Sequence, residues 1–157
     1  MNTMRGALAF LLTSVAALQA APVDYRWTIG FGQGTLEAII RNEFGSSLNI
    51  YCPAGQTDTT PGMFVSVDKV RPRAGEQIDV QIVVDNKSHP FSLEEIQFRA
   101  SGRVNLNFLY ALVDALAASR ARGFVVEFPR FRMSERFSLM SAREVLGSGK
   151  DFLQGCG

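Results

Sequence analysis

The chain has 157 residues, 46% of them apolar and 20% charged, with 16 Lys and Arg against 15 Asp and Glu and a formal net charge of +1. That near-balance excludes the large positive field on which non-specific binding to nucleic acid or to an anionic membrane surface depends. The length matches one ordinary domain, whose core can form without a structural metal.

Residues 1–20 read as a cleavable export signal. Arg5 makes a positive start, residues 6–17 (GALAFLLTSVAA) an apolar core, and Leu18-Gln19-Ala20 before Ala21-Pro22 supplies small residues for a signal peptidase. The apolar run is shorter than the about 20 residues of a membrane-spanning helix, and no second apolar stretch of that length follows. The expected organisation is a leader over 1–20 and a single domain over 21–157, periplasmic or secreted, with no stable membrane insertion after cleavage. Arg5 is the leader's only charge, so the mature chain is formally neutral.

Trp27-Thr28-Ile29 and Leu36–Asn42 flank Gly30-Phe31-Gly32-Gln33-Gly34. A dinucleotide loop needs G-x-G-x-x-G, and the third glycine here comes one residue early. The expected structure is a glycine-rich hairpin or bulge, where glycine allows positive φ. Next, Leu48, Ile50 and Cys52 alternate with Asn49 and Tyr51, which predicts a half-buried strand with Cys52 facing the core. Residues 63–67 repeat the pattern. The clearest case is residues 77–85 (QIDVQIVVD), where Ile78, Val80, Ile82 and Val84 share one face.

Residues 86–90 (NKSHP) read as a turn that leaves His89, the only histidine, exposed to solvent; residues 95–100 then read as a strand, with Glu94-Glu95 at its start. Residues 105–120 carry Leu106, Leu109, Val113 and Leu116 at spacings of three and four, flanked by Phe108 and Leu112, an amphipathic helix with Gly123 beyond its end. Phe124, Val126 and Phe128 mark another strand. From Phe128 to Phe137 arginine alternates with Phe and Met, and Arg130, Phe131, Arg132 and Arg136 form a candidate interaction surface, because planar donors beside apolar anchors suit protein contacts. The competing reading is a strand with its aromatic side in the core and its arginines reaching into solvent. Ser141-Ala142-Arg143-Glu144 fits a capping box. It predicts a second helix running toward Leu153, with Val145, Leu146, Phe152 and Leu153 inward and Gly155 as terminator.

Export turns the two cysteines, Cys52 and Cys156, into one expected disulfide. Closing a loop of about 100 residues stabilises a fold by roughly 4 to 5 kcal/mol in the chain-entropy view. No catalytic, metal or cofactor site is expected. A G-x-S-x-G elbow is absent, and Asp85, Ser88 and Ser92 neighbour His89 only along the chain. The carboxylates that a glycosidase would pair, Glu37 and Asp79 among them, fall on polar strand faces or in turns.

The leader, the L-x-I-x-C strand at Leu48–Cys52, the V-x-I-x-V-D strand ending at Asp85, the Leu/Ala-rich helix, and Phe137-Ser138-Leu139 leading through Ala142 and Leu146 to Cys156 make an order that resembles small exported bacterial proteins of the invasion-associated locus B type. That resemblance implies a β-rich sandwich or barrel edged by short helices, with no catalytic residues to carry over. The expected fold is α+β, a mainly antiparallel sheet of sandwich or barrel type with two short helices in the C-terminal half. The expected function is that of an exported, non-enzymatic protein binding another protein or an envelope component, an immunity or inhibitor protein being one version. The alternatives are an accessory subunit of a secretion or surface complex and an envelope hydrolase using His89 or a carboxylate pair.

Overall fold

The computed structural model describes residues 25–32, 34–53, 61–73, 75–94, 106–147 and 152–153. The expected leader, the expected strand at 95–100, Gly155 and Cys156 lie outside them. Strands β1 (Thr28–Gly32), β2 (Thr35–Arg41), β3 (Ser47–Pro53) and β4 (Gly62–Ser66) form one antiparallel sheet in that order. A second sheet holds β5 (Gln77–Val84), β6 (Lys87–Glu94), β7 (Gly123–Phe128) and β8 (Met133–Ser138) in the order β6-β5-β7-β8. Helices α1 (Leu106–Ala118) and α2 (Ala142–Leu146) complete the fold. The class is α+β and mainly antiparallel, with both helices in the C-terminal half, and neither sheet closes into a barrel.

Period-two alternation builds this core. Ala38 and Ile40 of β2, Leu48, Ile50 and Cys52 of β3, Met63 and Val65 of β4, and the even-numbered face of β5 are all buried. They share one cluster with Phe124, Val126 and Phe128 of β7 and with Leu109, Leu112, Val113 and Leu116 of α1. Each such aliphatic side chain contributes about 1.5 to 3 kcal/mol through the water it sheds. Leu106, expected on this stripe, and Phe108, expected to flank it, stay exposed instead in the first turn of α1. Cys52 Sγ lies 4.0 Å from the carbonyl oxygen of Phe152.

Three expectations are corrected. The turn after β5 is only Asp85-Asn86, both at positive φ (49° and 63°), as a two-residue hairpin with the right-handed twist of its strands requires. The chain re-enters the sheet at Lys87, so His89 is buried in β6 opposite Ile82 rather than exposed in a loop. Pro90 is tolerated there because β6 is an edge.

The segment from Phe128 to Phe137 is not one strand. Residues Pro129–Phe131 make a single 3-10 turn, Arg132 takes a left-handed conformation at φ 50°, and β8 folds back on β7 from Phe128↔Met133 to Gly123↔Ser138. The proline's fixed φ suits the start of that turn.

The helix expected to reach Leu153 stops at Leu146. Ser141 sits at φ 61° and makes no side-chain cap, so the capping box is not formed. Gly147, at φ 65° and ψ −149°, ends α2 in a conformation that other residues rarely adopt. Phe152 and Leu153 are helical again and buried in the same core.

Candidate functional site

The expected arginine surface is divided. Arg130 leaves the β7–β8 turn and pairs with Glu76. Phe131 is half-buried against the core, and Arg132 is exposed beside it. Arg136 stands further along β8, opposite Val125, where it lines a small cavity of about 270 Å³ with Tyr25, Asn42, Glu43 and Arg122. Arg130, Phe131 and Arg132 thus cluster at the turn, while Arg136 stands four residues further along β8.

Strand β6 does not bring the sequence neighbours of His89 onto it. Its neighbours Ser88 and Ser92 point to the opposite side of β6, because successive residues of a strand alternate. Asp85 accepts a 2.9 Å hydrogen bond from Ser119 Oγ. His89 Nε2 is buried with no hydrogen-bond partner among the described residues. Its pKa is lowered first by burial and then by Lys87, two positions away on the same face. Burial without a partner favours the neutral form of this ring. Among the described residues no three His, Cys, Asp or Glu side chains are grouped to hold a metal ion, and no helix is long and apolar enough to cross a membrane.

A different feature stands out on the outer face of the first sheet. The strand registers place Gly30, Glu37, Tyr51 and Gly62 in one row across all four strands. Gly32 and Thr35 lie in the row on one side, with Ile39, Asn49 and Phe64 in the row on the other. A groove of about 640 Å³ opens over this surface, lined by Gly30, Phe31, Gly32, Thr35, Glu37, Tyr51 and Phe64.

The absence of side chains at the glycines shapes it. A Cβ at Gly30 or Gly32 would meet nothing within 4 Å, so the floor beside β2 is open backbone. A Cβ at Gly62 would collide with the ring of Tyr51, which lies across that glycine. Tyr51 and Phe64 form a tilted aromatic pair with centroids 4.7 Å apart and planes 37° apart. This is the diagonal cross-strand contact that aromatic side chains can span. Beside them, Asn49 donates a 3.1 Å hydrogen bond from Nδ2 to Glu37 Oε2, which orients the carboxyl group.

The groove thus combines an aromatic wall, a positioned acceptor, a hydroxyl from Thr35 and a flat backbone floor. Binding sites commonly join apolar area with a few fixed polar groups in this way. Strand alternation points Tyr51 away from the face of Cys52, and Glu37 taken by itself reads as a solvated carboxylate. The signal that identifies the groove is Gly-x-Gly in β1, which leaves a strand face bare where the neighbouring strands present Glu37 and Tyr51.

No curated protein and no solved structure shows significant similarity to the chain. A sequence model of the YfjT family matches residues 25–146, the stretch that runs from β1 to α2. The match covers more than three quarters of the sequence, and the chain belongs to the YfjT family.

Proposed function

We propose that this protein is an exported, non-enzymatic binding protein whose ligand is an envelope component, and that the groove on the first sheet is where it binds. Export rests on the leader over residues 1–20. The groove carries the assignment of a ligand class. Aromatic rings stack on the apolar faces of sugars, while Glu37 and Thr35 suit hydroxyl and amide groups at their edges. An uncharged, hydroxyl-rich glycan strand fits this chemistry better than an anionic ligand, which would meet the Glu37 carboxyl with no lysine or arginine among the described lining residues.

Co-sedimentation with purified cell-wall sacculi tests the proposal, with soluble N-acetylglucosamine oligomers as competitor. The mature protein is expected to pellet with sacculi and to be displaced by the oligomers. Tyr51→Ala should weaken the interaction about tenfold or more, equivalent to about 1.4 kcal/mol. Absence of pelleting, or pelleting unchanged by both Tyr51→Ala and Glu37→Ala, would overturn it.

A further inference from the structure

Strand β1 lies at the end of its sheet in the order β1-β2-β3-β4, so among the described residues one side of its backbone has no neighbouring strand. All five of its residues are exposed, Ile29 at 56% and Phe31 at 71%. Soluble proteins usually guard such edges with charge, proline, a bulge or brevity, because a bare edge recruits another strand. The other edges conform. β6 carries Lys87 and Pro90, and β8 carries Glu135 and Arg136. β4 follows Pro61 and keeps Met63 and Val65 fully buried, so its edge offers little apolar surface. β1 reads Thr-Ile-Gly-Phe-Gly, with neither charge nor proline and with two large apolar side chains in solvent.

We propose that β1 is a self-association edge: two copies of this chain pair their β1 strands antiparallel about a two-fold axis at Gly30. Their two four-stranded sheets then become one continuous sheet. In this register Gly30 meets Gly30 of the second copy, Ile29 meets Phe31, and Thr28 meets Gly32. Directly opposed residues of an antiparallel pair share a face, so each Ile29 and Phe31 covers its counterpart while the glycines keep the other face flat. Other registers leave Ile29 or Phe31 without an exposed apolar residue opposite.

A second copy is the occupant that this edge suits. β1 bears no charge that would select a charged strand from another protein, and a formally neutral mature chain sets up little repulsion between copies. Gly30 and Gly32 belong both to the paired strand and to the lining of the groove. The axis therefore sets two grooves side by side on one sheet face, an arrangement that favours a repeating ligand through effective concentration. Self-association itself does not depend on what the groove binds.

Sedimentation velocity on the mature protein tests this over a range of about 1 to 100 micromolar, where interfaces of modest size assemble. A concentration-dependent dimer is expected. Phe31→Lys should raise its dissociation constant at least about tenfold. At concentrations too low for the dimer the melting temperature should stay unchanged, because this ring lies outside the core. Register is tested by oxidative cross-linking. Gly30→Cys, at a position where a Cβ meets nothing within 4 Å, should give a covalent dimer, whereas Thr28→Cys should not. A monomer throughout this range, a dimer indifferent to Phe31→Lys, or equal cross-linking from Thr28→Cys would overturn the proposal.

Discussion

The side-chain amide of Asn42 donates a 2.8 Å hydrogen bond to Glu135 Oε2, joining residues 93 positions apart in the chain. Asn42 follows the last residue of β2, and Glu135 lies on the inner face of β8 opposite Val126, so this buried contact ties one sheet to the other. The same side chain closes the β2–β3 turn, its Oδ1 accepting from the backbone N–H of Phe44 and of Ser46, each at 3.0 Å. One asparagine thus sets a local turn and a long-range junction at once.

Asn42→Ala removes both. Two turn amides lose their acceptor and a buried carboxyl loses a donor, at about 1 to 3 kcal/mol for each group left unpaired. A total loss of about 3 kcal/mol is expected from urea unfolding. Asn42→Asp restores the turn acceptor but sets a second carboxyl beside Glu135, so it should recover little stability. Recovery to wild-type values by Asn42→Asp would show that the turn alone matters.

A pH dependence follows from His89. Burial, reinforced by Lys87, places its folded pKa below the ordinary 6.5, so the unfolded chain takes up the proton at higher pH than the folded one. Stability from this site is complete above about pH 6.5 and is lost as pH falls through that value toward the folded pKa. His89→Leu should flatten melting temperature against pH over this range. A slope unchanged in that variant would assign the dependence to another group.

Glycines 62 and 123 should respond differently to alanine. At Gly123 a Cβ would sit 2.5 Å from the backbone oxygen of Phe137, which cannot move without distorting the β7–β8 pair. Gly123→Ala should therefore cost about 1 to 3 kcal/mol. At Gly62 the obstacle is the far end of the Tyr51 side chain, which can swing away. Gly62→Ala should leave stability within about 1 kcal/mol of wild type while impairing sacculus binding. Thermal melts alongside co-sedimentation separate the two effects.

A bridge between Cys52 and Cys156 predicts that Cys52→Ala and Cys156→Ala are equally destabilising, each by up to roughly 4 to 5 kcal/mol, and not additive in the double variant. Cys52 Sγ faces the carbonyl of Phe152, four residues before Cys156 in the sequence, at 4.0 Å. Non-reducing peptide mapping of exported protein reads it directly. Free thiols on both residues would refute it.

Arg130 pairs with Glu76, but its side chain is 63% exposed, so water screens the interaction. Arg130→Ala should change stability by less than about 1 kcal/mol, as chemical denaturation would show.

Strands with an alternating apolar face were legible in advance. Residues 77–85 nearly coincide with β5, and Leu48–Cys52 lies within β3. β6 was hidden because Lys87-Ser88-His89-Pro90 lacks an apolar alternation, and its place was decided by pairing with β5. The arginine segment misled in another way. Its aromatic alternation continues through a chain reversal, and a period of two does not reveal a turn when Pro129–Phe131 interrupts it. The groove was half visible: Tyr51 was assigned to the polar face, but its neighbours Gly30, Glu37 and Gly62 come from three other strands.

Alternation along each strand is local, because successive side chains must point to opposite faces; with the three-and-four spacing of α1 it was enough to determine the α+β class, the buried side of β3, β5 and β7, and the inward direction of Cys52. Tertiary structure alone decided that Ile29 and Phe31 stay in solvent although they alternate like core residues, that His89 is buried, and that Asn42 meets Glu135. Those outcomes depend on strand order and register, which are set by contacts between residues far apart in the chain.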